Sequence, residues 1–313
     1  MEVNIDIEDT RRVKTPETPK EIEQQEVKLQ FHLYLLIFLF IYFVSFLIPG
    51  VLYMLYFLLI FQPLFLEQSN FFSIFTNMET LLALLFFPLI LIIAYVLHLF
   101  FIGVATSLLW RFTEKMCPTK DGIIIRNVPS DTLNYYHLRS FMLKYGKNAF
   151  TKGIFPWMAN WFYNFVGSNK IGKGTTIEEE IVADKYIDVG DNCYIGVNSA
   201  ICSHLVEGIF GRIPYFEIKI RDNVTCAAFN IMGPGCEIKE NSYLLPYGSC
   251  TKHQTTKGNN YYFGMPMRKI FHRKIMDYLK ITDEDLERDK QLRIKQQQEK
   301  INKNKNKKSL SNE

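Results

Sequence analysis

Val189-Gly-Asp-Asn-Cys-Tyr-Ile195-Gly-Val-Asn-Ser-Ala-Ile201 carries an aliphatic residue at every sixth position. Stepping backward by six reaches Ala183, Ile177 and Ile171. Forward, after one interruption, the beat resumes at Ile220, Cys226, Met232, Ile238, Leu244 and Cys250. Four residues beyond most of these sits a second small or apolar residue: Thr175, Ile181, Ile187, Cys193 and Ser199, then Val224, Cys236, Ser242 and Gly248, with Asn230 as the awkward member. A beat of six fits neither the 3.6-residue helix nor a simple alternating strand. It predicts a three-sided coil in which short strands form flat faces, the beat residue points inward and small residues fill the corners. Gly172, Gly174, Gly190, Gly196, Gly233 and Gly235 are expected to supply the turns. Stacked coils share a continuous core. At three hexads per coil, about four coils run from Ile171 to about Thr255.

Upstream the composition changes. Phe31 to Phe65 and Leu81 to Trp110 are almost wholly apolar, and each exceeds the roughly 20 residues that cross a hydrocarbon core. Neither shows the polar face of a helix buried in a soluble core. Pro49-Gly50 lies near the middle of the first block and either kinks one helix or turns a re-entrant hairpin. Lys14, Lys20 and Lys28 precede the first block, and Arg111, Lys115 and Lys120 follow the second. The connection Leu66 to Thr80 has only Glu67 and Glu79 as charges. Basic flanks stay cytosolic, so both ends are expected on that side, with a multi-pass anchor between them. The polar start, Met1 to Gln30, does not fit a secretory signal.

Thr132 to Phe165 is rich in Tyr, Phe and Trp and carries Lys144, Lys147 and Lys152. It suits either the headgroup zone of a bilayer or ordinary packing against the coils. The six cysteines lack metal-ligand spacing, and five lie inside the repeat, which favours a reducing compartment. A net charge of +4 from 36 basic and 32 acidic side chains, without a basic aromatic groove, argues against nucleic acid. Ile281-Thr-Asp-Glu-Asp285 reads as a helix start. The Lys303 to Lys308 stretch reads as a solvated tail.

The segment Val189 to His204 resembles the coil of the hexapeptide-repeat acyltransferases, such as maltose and galactoside O-acetyltransferases, that ends at their catalytic histidine. Tyr262-Phe-Gly-Met-Pro-Met-Arg-Lys-Ile270 is similar to their closing Gly-x-Pro-Ala-Lys/Arg-x-Ile motif, with Met267 in place of alanine. In overall order, the chain resembles the membrane-anchored C-terminal region of nonribosomal-peptide-synthetase-like proteins. The resemblance implies a left-handed parallel β-helix, a homotrimer and acetyl-CoA or another acyl-CoA as donor. It also implies His204 as general base, with Gly248, Lys252, Gly264 and Arg268 along the coenzyme. Glu207, three residues after His204, is a candidate to orient the imidazole. Within the repeat only His204 and His253 are histidines, and they fall in different coils, so a three-histidine metal site is not expected.

The expectation is therefore a membrane-anchored all-β chain: polar tail 1–30, transmembrane anchor 31–110, interfacial helical connector 111–166, left-handed β-helix 167–272 and helical or disordered basic tail 273–313. Its expected work is acyl transfer to a hydroxyl or amine of a small-molecule, glycan or lipid-linked acceptor. The alternative is a noncatalytic trimeric scaffold at the membrane.

Overall fold

The computed structural model describes residues 29–67, 70, 72–178, 181–182 and 185–270, with parts of a helix between 282 and 298. The N-terminal tail up to residue 28, Ala183, His272 and the Lys303 to Lys308 stretch lie outside the described residues.

Helix α1 (Phe31–Tyr56) passes through Pro49 and Gly50 without folding back and widens into a π-helical continuation, Phe57–Leu66. After a short helix α2 (Ser73–Thr76), helix α3 (Met78–Met116) returns alongside α1. Asn77 caps α3, its side chain accepting from the Glu79 amide. Both long helices are long and apolar enough to cross a membrane. The side chains of α3 change character along its length. Ten of its buried residues fall between Ala94 and Thr113, and only Thr80 precedes them. That buried half is covered by α4 (Asp131–Thr151) and α5 (Met158–Val166), which pack Phe150, Phe162 and Val166 against Leu99 and Ile102. The helices α1, α3, α4 and α5 make up a large share of the chain, so the expected all-β class is corrected to a mixed one. The beat could report only on the residues that carry it.

The repeat folds as expected into three parallel sheets around one core. The first face holds β2 (Lys170–Ile171), β5 (Ile187–Val189), β9 (Ile218–Ile220) and β12 (Glu237–Ile238). The second holds β3 (Thr176–Ile177), β6 (Tyr194–Ile195), β10 (Thr225–Cys226) and β13 (Ser242–Leu244), extended by β15 (Asn260–Phe263) and antiparallel β16 (Arg268–Lys269). The third holds β4 (Ile181–Val182), β7 (Ala200–Ile201), β11 (Ile231–Met232) and β14 (Ser249–Cys250). Thr176 lies opposite Tyr194 and Thr225 opposite Tyr243, a stagger of one coil. Ile195, Ile201, Ile220, Cys226, Met232, Ile238 and Leu244 are all buried in one cluster. Each such aliphatic side chain contributes about 1.5–3 kcal/mol by leaving water. Asn230 is accommodated in this core because its amide donates to the carbonyls of Leu245 and Gly248, 2.7 and 3.1 Å away.

The corners are made differently from the expectation. Of the glycines expected to turn the chain, Gly174 and Gly235 have positive φ. Among the described residues, five of the nine non-glycine left-handed positions are asparagines: Asn192, Asn198, Asn223, Asn241 and Asn259. Asparagine visits this region more readily than other side chains because its short amide bonds locally. Asn223, Asn241 and Asn259 are also linked to one another amide to amide, at 3.1 and 2.9 Å, up one corner. Gly190 and Gly196 serve close approach, since a Cβ there would strike the next coil.

Burial pushes the Cys193 and Cys226 thiols up from the ordinary range, whereas Cys117, beyond α3, is half-buried. Only the thiolate is nucleophilic. Native protein treated with iodoacetamide at pH 8 is therefore expected to be alkylated at Cys117 at least about a hundredfold faster than at Cys226. Peptide mass spectrometry reads the ratio, and equal labelling would contradict the packed core.

At the far end, the Thr282 and Asp285 side chains bond each other's backbone amides, the helix start expected from sequence.

Candidate active site

The beat breaks after β7. There the chain leaves the prism as the excursion Leu205–Glu217 and re-enters at β9, so Tyr194 lies opposite Thr225, one coil plus the excursion away. Its returning limb, β8 (Arg212–Tyr215), pairs antiparallel with β1 (Gly122–Ile125), a strand just after α3. The run Gly122-Ile-Ile-Ile125 carries a short strand signal that the sequence reading passed over. This ribbon ties the excursion to the segment that follows α3.

His204 stands at the root of the excursion, paired backbone to backbone with Tyr215. Its imidazole meets the rings of Tyr136 and Tyr215 edge-on, with centroids 5.4 and 6.3 Å away. Tyr136 comes from α4, so a connector helix of the same chain walls one side of the histidine. Beneath these rings lies Lys185, from the equivalent corner one coil earlier, only 1% exposed. Its ammonium sits 4.0 Å from the centre of the Tyr136 ring and donates to the Tyr136 carbonyl and the Ser140 hydroxyl, each at 2.8 Å. The Lys185 carbonyl in turn accepts from the Ser203 hydroxyl at 2.7 Å, next to His204. A buried ammonium is costly unless hydrogen-bonded, and these bonds pin the first coils to α4. Sequence reasoning missed Lys185 because a lone lysine reads as solvated surface and its partners are 45 to 49 residues away.

Burial and then the Lys185 and Arg126 charges hold His137, beside Tyr136, below the ordinary imidazole value. Burial raises Tyr215 well above the ordinary phenol range. Tyr186 is pushed up to about 12 by burial and by the Asp121 and Glu217 carboxylates. These aromatic hydroxyls stay protonated near neutral pH.

Glu207 is engaged elsewhere than sequence spacing suggested. Its carboxylate binds Arg212, across the excursion, and Lys252, from the last coil. The Lys252 ammonium first, then the Arg212 guanidinium, holds the Glu207 carboxyl below the usual carboxylate pKa range. The two expected site residues Glu207 and Lys252 are thus together, as a strap from excursion to last coil. Gly248, Gly264 and Arg268 form a separate group at the end of the prism. The Gly264 carbonyl accepts from Ser249 at 2.9 Å, the Met267 amide donates to Ser249, and Gly248 sits at a corner where a Cβ would lie 3.6 Å from the Met267 sulfur. Arg268 is exposed on β16. No cluster of three or more metal-ligating side chains occurs among the described residues.

No protein-family model matches the chain, and neither does any curated protein. Among solved structures, the chain is similar to a hexapeptide-repeat acetyltransferase from Vibrio cholerae complexed with acetyl coenzyme A. The two are 15% identical over 45% of this chain and 89% of that one, with a TM-score of 0.37. A maltose O-acetyltransferase from Clostridium difficile is 16% identical over 54% and 86%, with a TM-score of 0.27. An N-acyltransferase from Bacillus cereus, in complex with dTDP and 3-hydroxybutyryl-CoA, is 14% identical over 37% and 79%, with a TM-score of 0.24.

Proposed function

We propose that the chain is a membrane-anchored acyltransferase, moving an acyl group, acetyl in the simplest case, from acyl-coenzyme A to a hydroxyl or amine on the cytosolic side. The observation that carries this reading is the place of His204, at the point where a regular prism opens into an excursion. A neutral imidazole there takes the proton of the attacking hydroxyl or amine as that atom bonds to the thioester carbonyl. The tetrahedral oxyanion needs donors. As it collapses, the carbon–sulfur bond breaks and the imidazolium returns its proton to the leaving thiolate. In this reading Glu207 fixes the excursion through Lys252, and Tyr136 and Tyr215 hold the imidazole plane.

The coenzyme lies along the later coils, where Gly248 and Gly264 let the pantetheine arm approach the backbone and Arg268 meets a phosphate. The working unit is a homotrimer, with the donor between neighbouring prisms. Titration calorimetry with coenzyme A tests the donor. Saturable heat is expected, and Arg268→Ala should weaken binding about tenfold, or about 1.4 kcal/mol. Absence of saturable binding would remove the donor assignment.

A second reading has its own support. Helix α4 covers one side of His204 within the chain, and the Glu207 carboxylate is taken by Arg212 and Lys252. Both fit a scaffold that binds no thioester.

A further inference from the structure

The loop between α4 and α5 is the extreme tip of everything packed around α3. Gly153 lies against Tyr95, its ideal Cβ 2.6 Å from the hydroxyl, and the rings of Phe155 and Tyr95 are 5.9 Å apart. Beyond Ala94, toward Met78, Thr80 is the one buried residue of α3 among the described residues. Leu84, Leu85, Phe86, Leu89 and Ile92 are exposed there. From Met78 to Tyr95 the helix rises about 26 Å at about 1.5 Å per residue, close to the roughly 30 Å of a hydrocarbon core. Glu67 and Glu79 mark the other end of this bare segment. At the tip itself, Ile154 and Trp157 are 71% and 69% exposed, with Lys152 beside them. A tryptophan, an isoleucine and a lysine on a loop that ends a bare apolar hairpin match the interfacial layer of a bilayer.

Behind the tip, a cavity of about 430 Å³ opens between the loop and the first coil of the prism. Its size falls within the range of small-ligand sites. Asn160 ties its two walls, donating to the Thr175 carbonyl at 2.7 Å. Among the described residues, the charged side chains lining it are one cation, Lys152, and one carboxylate, Glu178, with Trp157 at the loop side and Thr176 on the coil. One positive and one negative group with hydroxyls between them complement a phosphate and an ammonium on the same molecule. Gly153, which lines the cavity, also lies against Tyr95, so the cavity sits at the level where the bare hairpin begins.

We infer that the tip Thr151–Trp157 lies at the headgroup level of the inner bilayer surface, and that the cavity behind it receives a zwitterionic phospholipid headgroup, phosphate toward Lys152 and ammonium toward Glu178. This rests on the membrane-anchored part of the proposed function and is independent of acyl transfer. It places the boundary of the anchor midway along α3, at Tyr95, whereas the composition of the chain alone runs the apolar block on to Trp110.

Full-length protein reconstituted into phosphatidylcholine vesicles, brominated at shallow or deep acyl positions, tests the depth. The Trp157 contribution is the difference in emission between wild type and Trp157→Phe, which leaves Trp110 and Trp161 in place. Quenching at least twofold stronger by shallow than by deep bromines is expected. Protein that fails to float with vesicles would sink the anchor itself. Protein that floats with Trp157 unquenched, or quenched best by deep bromines, would overturn the inference alone.

For the cavity, the same emission difference is followed in detergent micelles titrated with short-chain phosphatidylcholine. A saturable change is expected, weakened about tenfold by either Lys152→Ala or Glu178→Gln. Equal response to phosphatidylglycerol, insensitive to Glu178→Gln, would overturn the zwitterionic assignment. No saturable change would overturn the cavity site.

Discussion

Gly196→Ala is expected to leave almost no folded prism, while Gly208→Ala, twelve residues on, folds as the parent does. The second coil stacks on the third through the Gly196 amide, which donates to the Cys226 carbonyl at 2.8 Å. A Cβ on residue 196 would fall 1.6 Å from the Ala227 carbonyl oxygen and 2.7 Å from its carbon. Those are backbone atoms of the adjacent coil, so relief requires the coils to part and the sheet bonds on that face to stretch. A single-residue clash of this kind falls in the class costing more than about 4 kcal/mol, against a typical total of about 5–15 kcal/mol. At Gly208, on the open excursion, an added Cβ meets nothing within 4 Å, and a change below about 0.5 kcal/mol follows. Thermal unfolding in detergent, followed by the β-sheet signal, reads both. A Gly196→Ala protein melting within a few degrees of wild type would show that the coils are not stacked in this register.

His204→Ala is expected to lower kcat by about a hundredfold to ten-thousandfold, the usual contribution of a positioned general base. At about 1.36 kcal/mol per decade that is about 2.7–5.4 kcal/mol of barrier. The affinity for coenzyme should change less than about threefold, because the groups assigned to it sit on the later coils and the closing strands. The substitution also leaves the prism intact, since His204 lies outside the buried core cluster. Rates measured against acyl-CoA concentration separate the two effects. Loss of coenzyme affinity with kcat unchanged would assign His204 to binding rather than to proton transfer.

The prism was legible because its determinant is periodic. Every described residue of the beat from Val189 to Cys250 is buried, and the interruption between Ile201 and Ile220 is where the chain leaves the coil. Corner chemistry was half legible: glycine was credited with turns that Asn192, Asn198, Asn223, Asn241 and Asn259 make, because asparagine looks polar before it looks left-handed. The surroundings of His204 were not legible. Tyr136, Lys185 and Tyr215 come from a connector helix, a coil corner and a returning strand, and nothing local in the sequence ties them together. Glu207 misled through proximity. Three residues of separation on a folded-back loop do not fix direction, and two cations placed by β8 and the last coil hold its carboxylate. The apolar block Leu81 to Trp110 shows a parallel limit. Composition marks it as uniformly greasy, yet its second half is covered by α4 and α5.

The most direct measurement is the release of free thiol from acetyl-coenzyme A by the purified full-length chain in lipid–detergent micelles, with hydroxyl and amine acceptors offered in turn. Acceptor-dependent thiol, matched one for one by acylated product, is the expected result. A thioester left intact with every acceptor, even when other acyl chain lengths replace acetyl, would contradict catalysis and leave a three-sided scaffold on an apolar helical hairpin.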